Sequence, residues 1–249
     1  MGKKHQGSTT GKPDGYDASA FPSFAVTVDI VILTVVEHRL MVLLIKRSAE
    51  PYADSWALPG GFKRPDETLD EAAARELLEE TSIAPPGRLS LFGAYGDPNR
   101  DPRTNVVTIG YLAVTPNLAN PTAGSDAAEA QLWSVDDVLN GKVATAFDHT
   151  KIIADAVTRT RSDLEQTDLA LSFVGKTFTV RELQTVFEAI WGATLEPANF
   201  RRSLLASTKF IVETKTVNAS GKTGGRPALS YKATKAWRDG SPIRRRQTR

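Results

Sequence analysis

The sequence predicts two units in series. The first is an α/β/α sandwich with a mixed sheet over residues 21–163; the second is a winged helix-turn-helix over residues 164–238. Three observations carry this reading. A β-branched run at Ala25–Val36 has the character of a buried strand. Gly60-Gly61 leads into a helix with an acidic edge, and strand-like segments resume beyond it. Past residue 163, two helices joined by a short turn precede two strands that flank a Gly- and Lys/Arg-bearing loop.

Residues 1–20 are rich in Gly, Lys, Ser and Thr, and a disordered tail is expected there. Leu40–Lys46 reads as the hairpin partner of Ala25–Val36. Trp56–Gly61 turns into a helix over Thr68–Glu80, whose apolar stripe is Leu69, Ala73 and Leu77. Pro85-Pro86-Gly87 marks a loop. Leu89–Tyr95 and Val106–Thr115 read as strands around the polar loop Gly96–Asn105. Trp133–Val135 reads as a short strand, and Val135–Asn140 and Thr150–Arg161 as helices. Asp148 or Thr150 suits the N-cap of the last helix, which makes His149 a packing or hydrogen-bonding residue.

In the second unit Thr179 and Glu182 form a capping box, and Gly192 ends the helix that follows. Pro197 suits the first position of the next helix, Ala198–Ser207, with Phe200, Leu204 and Leu205 inward. Phe210–Thr216 and Leu229–Thr234 read as strands, and Val217–Ala228 between them as the wing. Residues 239–249 form a basic tail whose Arg244-Arg245-Arg246 run suits contact with phosphates.

Composition narrows the function. The chain has 249 residues and no cysteine, which excludes disulfides, zinc-thiolate sites and thiol nucleophiles. The apolar run Val28–Val36 is too short to span a membrane and is broken by Asp29. No secretory signal is expected, and Gln6 stands where a myristoylation site needs Ser or Thr. A cytoplasmic protein is therefore expected. The net charge is only +2, but the first 160 residues are acidic on balance and the remainder basic. An acidic half joined to a basic half implies two different partners, nucleic acid for the basic one or merely a basic surface.

The chemistry concentrates at Glu76, Glu79 and Glu80, which fall at i, i+3 and i+4 on one helix face. Like charges so placed destabilise a bare helix by about 0.2–0.5 kcal/mol per pair. A hard cation such as Mg²⁺ or Mn²⁺ would remove that penalty and could meet a phosphate; a solvated acidic face is the alternative. Arg100 and Arg103 sit in the Gly96–Arg103 loop as phosphate-pairing candidates or as solvated turn arginines. Arg47, at the end of the second strand, is a further phosphate or ribose candidate. In the second unit Asn199 and Arg202, flanked by Arg201, lie opposite Phe200 and Leu204. They suit a major groove, with Lys222 and Arg226 of the wing on phosphates or the minor groove.

Gly61, Glu67, Arg75, Glu76, Leu77, Glu79, Glu80 and Ile83 together resemble the Nudix box. The one departure is Ser82, which replaces the late Gly just past the helix end. The resemblance implies that Glu76, Glu79 and Glu80 hold the metal, with Glu79 and Glu80 catalytic if the chain hydrolyses. It also implies that Arg75 orients the glutamates, that Glu67 helps build the site, and that Gly60-Gly61 permits close approach to phosphates. Glu129 lies where some relatives carry a further acidic group, or is simply exposed.

With Ala146–His149, Asn199–Arg202 and Gly225–Ala228 added, the chain resembles the Nudix-related transcriptional regulators of NAD metabolism. That resemblance implies a homodimeric repressor of NAD biosynthesis or salvage genes, which binds duplex operator DNA and responds to ADP-ribose or a related nucleoside diphosphate. The alternative is a Mg²⁺-dependent ADP-ribose pyrophosphatase with an accessory winged helix. A small helical domain that stabilises a dimer is the non-DNA reading of the second unit.

Overall fold

The computed structural model describes residues 17–84, 89–116, 118, 127–206, 210–218, 228–234 and 241–244. Expectations on residues 1–16, on Pro85-Pro86-Gly87, on Lys222 and Arg226 of the wing, and on Arg245-Arg246 lie outside them. Residues Ala18–Ala20, expected as part of a tail, form a short 3₁₀ turn.

Strand β1 is Ala25–Val36, as the β-branched run predicts. Its hairpin partner β2, Arg39–Arg47, extends one residue beyond the expected strand at each end. Glu37 and His38 between them have φ 46° and 64°, the left-handed pair that a two-residue hairpin turn demands. Next come β3 (Trp56–Ala57) and β4 (Gly60–Phe62), then helix α1 (Leu69–Thr81). Strands β5 (Ser90–Tyr95), β6 (Val106–Val114) and β7 (Ala127–Ser134) follow. Strand β7 is much longer than the expected Trp133–Val135, because seven of its residues pair with β2. Helices α2 (Val135–Leu139) and α3 (His149–Gln166) complete the unit.

The sheet runs β3-β2-β1-β6-β5, with β4 also on β1 and β7 also on β2. Among the described strands β1 and β6 pair parallel and the others named here pair antiparallel. The period of two along β1 splits its apolar residues between two layers. Val28, Ile30 and Ile32 join Ala72, Ala73 and Leu77 of α1 in one cluster. Val31 and Leu33 join Ile152, Ile153 and Ala156 of α3 in the other. The result is the expected α/β/α sandwich.

Helix α4 (Val180–Trp191) opens on the predicted capping box. The Glu182 N–H donates to Thr179 Oγ1 at 3.1 Å and the Thr179 N–H donates to Glu182 Oε2 at 2.6 Å. It ends at Gly192, φ 64°. Helix α5 (Pro197–Ala206) buries Phe200 and Leu204. Strands β8 (Ile211–Asn218) and β9 (Ala228–Ala233) pair antiparallel. This is a helix-turn-helix followed by a β-hairpin.

The expected boundary at 163/164 falls inside α3, not in a linker. The apolar cluster on the α3 side of the sheet runs on without a break through Phe173, Phe187, Ile190, Phe200 and Tyr231. Arg161 Nε donates to the Ile190 carbonyl at 2.9 Å, tying α3 to the last turn of α4.

Candidate functional site

The helix carrying the acidic face starts on a second capping box: the Glu71 N–H donates to Thr68 Oγ1 at 3.2 Å and the Thr68 N–H donates to Glu71 Oε2 at 2.7 Å. It ends on Ser82, whose φ of 57° and ψ of 17° are left-handed, with its N–H on the Leu78 carbonyl. The position thus has the geometry that favours Gly, and Ser adopts it at a cost.

Arg75 is the hub of the acidic cluster. Its guanidinium donates to both Glu67 oxygens at 2.9 and 2.7 Å, to Glu76 Oε1 at 2.7 Å, to Glu79 Oε2 at 3.1 Å and to the Phe62 carbonyl at 3.1 Å. The hydrogen bonds from Arg75 and the Arg64 N–H hold Glu67 down at about 2. The two roles that the Nudix resemblance implies for Arg75 and Glu67 are visible as one bonded network.

Gly60 and Gly61 bind the strand to the helix. A Cβ on Gly60 would lie 2.1 Å from the Val28 carbonyl oxygen, and one on Gly61 would lie 2.6 Å from Glu76 Oε1. The approach to backbone at Gly60 requires a residue without a side chain, whereas at Gly61 the end of the Glu76 side chain would have to give way. The Gly60 N–H donates to Glu80 Oε2 at 2.8 Å. Burial, above all, pushes Glu80 up to about 8; the Gly60 hydrogen bond opposes this, and the Glu76 and Asp29 carboxylates add to it.

Glu80, Gly60 and Gly61 line a cleft of about 200 Å³ that also takes in Asp29, Arg47, Phe62, Arg100, Asp101, Arg103, Phe147 and His149. All five residues expected to bind ligand, Arg47, Gly60, Gly61, Arg100 and Arg103, therefore converge on it. They are not equivalent. Arg100 is buried and bidentate on Asp148, at 2.6 and 3.1 Å, with Asp29 at 3.6 Å. Arg47 and Arg103 lie with their guanidinium carbons 5.0 and 5.7 Å from the centre of the Phe147 ring. Arg103 is held by Asp101 at 2.7 Å, while Arg47 donates to the Pro51 and Ala49 carbonyls. Burial, then Arg103, works against the charge on Arg47. Two cations beside one aromatic ring suit an anionic ligand with a flat group.

Asp148 occupies the N-cap position of α3, but its side chain makes no capping bond and serves Arg100 instead. Thr150, the other cap candidate, shares a hydrogen bond with Thr145. His149 is buried, and its Nδ1 accepts from the Leu58 N–H at 2.9 Å, which leaves the proton on Nε2. That nitrogen lies 3.6 Å from Asp29 Oδ1, and burial lowers the His149 pKa. His149 is thus the hydrogen-bonding residue expected, yet it also forms part of the cleft wall. Glu129 is exposed.

Sequence reasoning missed Asp29, Phe62, Asp101 and Phe147 as cleft residues. Asp29 left a signal, a carboxylate in the middle of an apolar buried strand. Phe147 lies in the Ala146–His149 segment that carries the family resemblance, but its φ of 51° shows only in the fold.

Oxygen donors on adjacent helical turns, one of them raised by burial first and by its acidic neighbours second, are of the type that a hard divalent cation takes. Among the described residues, however, no three His, Cys, Asp or Glu side chains stand ready-made around one point. Arg75 and the Gly60 N–H take up positions on Glu76, Glu79 and Glu80. No helix among the described residues is long and apolar enough to cross a membrane.

On the second unit Asn199, Arg201 and Arg202 are exposed on α5, and Arg202 donates to Asn199 Oδ1 at 2.6 Å. They form one polar surface opposite Phe200 and Leu204, as expected.

Comparison with known proteins agrees with this division. Residues 23–156 match the NUDIX domain and residues 170–233 the NrtR DNA-binding winged helix domain. The chain is 35% identical over 219 residues to an ADPR responsive transcriptional repressor NtrR of Acinetobacter baylyi, covering 87% of this chain and 85% of that protein. It superposes with a TM-score of 0.70 and 30% identity on Shewanella oneidensis NrtR complexed with a 27mer DNA, over 84% of this chain and 93% of that one. The NUDIX domain of the Shewanella protein complexed with ADP ribose matches with a TM-score of 0.53 and 34% identity, over 59% of this chain and 94% of that one. The chain belongs to the NrtR family, whose members join a Nudix domain to a DNA-binding winged helix.

Proposed function

We propose that this protein is a DNA-binding transcriptional repressor of NAD biosynthesis or salvage genes that responds to ADP-ribose bound in the Nudix cleft. One observation carries the reading: α3 begins in the cleft with His149 and ends beneath the helix-turn-helix, where Arg161 holds Ile190. A single helix of 18 residues, about 27 Å long, thus joins the ligand site to the DNA-binding unit. The names of the Acinetobacter and Shewanella relatives support the same pairing of ligand and DNA.

In this reading Arg47 and Arg103 hold the diphosphate, and Phe147 offers its ring to the adenine. Gly60-Gly61 admits the phosphates to the backbone. Mg²⁺ or Mn²⁺ held by Glu76, Glu79 and Glu80 would neutralise the charge between pyrophosphate and carboxylates. Asn199, Arg201 and Arg202 read the operator, with Lys222 and Arg226 on its backbone. A two-fold homodimer doubles the half-sites, and exposed Phe24, Val26 and Leu91 offer apolar surface for it. The site of action is the cytoplasm.

A second reading, Mg²⁺-dependent ADP-ribose pyrophosphatase, is favoured by the Arg75 network, which places Glu67, Glu76 and Glu79. One experiment separates the two: a gel shift with duplex DNA enriched by the protein from a random pool, with and without ADP-ribose, followed by product analysis. ADP-ribose-dependent mobility with ADP-ribose recovered intact supports the sensor. Rapid release of AMP supports the enzyme, and a mobility indifferent to ADP-ribose refutes the regulator.

A further inference from the structure

A hollow of about 400 Å³ lies at the turn between α4 and α5, apart from the Nudix cleft. Its volume falls within the range of about 300–1,000 Å³ usual for small-molecule sites. Trp191, Phe200 and Ile243 make its apolar part; all three are buried and belong to one cluster. The Phe187 ring meets Trp191 at 5.1 Å and Phe200 at 5.6 Å, both edge-on, and so fixes the two rings. Residues 241–244 are tied to the end of α3, where the Ser241 N–H donates to the Glu165 carbonyl at 3.2 Å.

The polar groups of the hollow are unequal. Trp191 is 3% exposed, and its Nε1 has no hydrogen-bond partner. A buried indole N–H usually finds one, so this donor is open to an acceptor that enters the hollow. Arg244 is exposed, lines the same hollow and has no ion pair among the described residues. Glu196 also lines it, but its two oxygens accept from the Ala198 and Asn199 N–H groups at 2.9 and 2.6 Å. Those bonds hold its carboxyl below the usual range and commit it to the N-terminus of α5. An unused donor and an unused cation thus stand beside an acid already in use, next to an apolar surface shaped by two rings.

We propose that this hollow is a second ligand site, which takes a small aromatic carboxylate with its ring on Trp191, Phe200 and Ile243 and its carboxylate on Trp191 Nε1 and Arg244. Asn199 and Ser203 line the same hollow from the exposed side of α5. A ligand there therefore competes with a duplex for the helix that carries Asn199. This consequence rests on the operator-binding reading of the winged helix; the site itself does not.

The test uses the full chain without DNA, titrated calorimetrically with naphthoate and with uncharged naphthylmethanol. Naphthoate is expected to bind with Kd below about 1 mM, and naphthylmethanol about tenfold more weakly, since one charge-assisted pair is lost. Arg244→Ala changes an exposed residue and is expected to cost naphthoate about the same tenfold. The chain has four tryptophans. In NMR spectra the indole N–H signal that disappears in Trp191→Phe is expected to be the one that naphthoate moves. In a second arm, saturating naphthoate is expected to weaken, several-fold, the binding of a duplex that the protein enriches from a random pool.

No binding at about 1 mM, equal affinity for the acid and the alcohol, or an unmoved Trp191 signal overturns the site. Full naphthoate affinity in Arg244→Ala overturns the place assigned to the carboxylate. Unchanged duplex affinity under saturating naphthoate overturns the competition and leaves the site standing. If the protein enriches no duplex, the operator reading falls, while the calorimetric and NMR results still decide the site.

Discussion

Replacing Glu80 with Gln should change the stability of the protein in a way that depends on pH. The carboxylate lies in the cleft with Oε2 on the Gly60 N–H at 2.8 Å. Burial, reinforced by Glu76 and Asp29, raises it from its ordinary 4.5 to about 8. An acid with a raised folded pKa stabilises the protein while it stays protonated. Its contribution is complete below pH 4.5 and is lost as the pH rises through 8. Each pH unit of that window is worth about 1.4 kcal/mol, which caps the effect near 5 kcal/mol. Relaxation and partial solvation reduce this to on the order of 2–3 kcal/mol. Gln mimics the protonated acid and keeps an oxygen for the Gly60 N–H. Urea unfolding in EDTA should therefore find Glu80→Gln within about 1 kcal/mol of wild type at pH 5.5 and about 2–3 kcal/mol more stable at pH 8.5. The same difference at both pH values would refute the account of Glu80. Millimolar Mg²⁺ at pH 8.5 should then raise the wild-type midpoint by mass action and shift the variant less. An equal shift would count against Glu80 as a cation ligand.

Arg75→Ala strands Glu67, Glu76 and Glu79 around an empty centre. With Arg75 only 16% exposed, a loss of about 3–5 kcal/mol is expected, measured by thermal unfolding; a loss below 1 kcal/mol would show that the network carries little stability. Ser82→Gly relieves a left-handed residue and should stabilise by about 1 kcal/mol in the same assay, whereas destabilisation would mean the Ser side chain is used. Gly60→Ala drives a Cβ into the Val28 carbonyl and should cost at least about 1–3 kcal/mol; wild-type stability would show that β4 can move away. Arg161→Ala should leave ADP-ribose affinity unchanged in calorimetry but weaken the effect of ADP-ribose on operator binding. An undiminished effect would remove α3 as the route between the sites.

Legibility in the sequence followed how local each cause is. Strand β1 and helices α1, α4 and α5 were readable because periodicity, caps and Gly or Pro positions act within a few residues. The Thr179–Glu182 box and the left-handed end of α1 at Ser82 are both in place. Strand β7 was mostly missed because its length is set by pairing with β2, more than eighty residues earlier, and not by its own Ala-rich composition. The boundary expected at 163/164 lies within α3 for a related reason. A change in net charge marks where surfaces differ, while the core under them is continuous through Phe173 and Phe187.

The site divides in the same way. The acidic helix and the arginines were found by residue type and spacing. What the sequence could not show is which charges are already spent. Arg100 and Asp148 are 48 residues apart and bind each other, so Asp148 does not cap α3 and Arg100 lines the cleft with its charge already paired. Asp29 was passed over because a lone acid in an apolar strand is indistinguishable, in one dimension, from an interruption. In the fold it sits between Arg100, His149 and Glu80, where it helps to keep Glu80 protonated. Arg47 and Arg103 are the cleft arginines that face Phe147, and Phe147 is set by the backbone that leads into α3. The ring thus stands at the start of the helix from which Arg161, further along, bonds the last turn of α4.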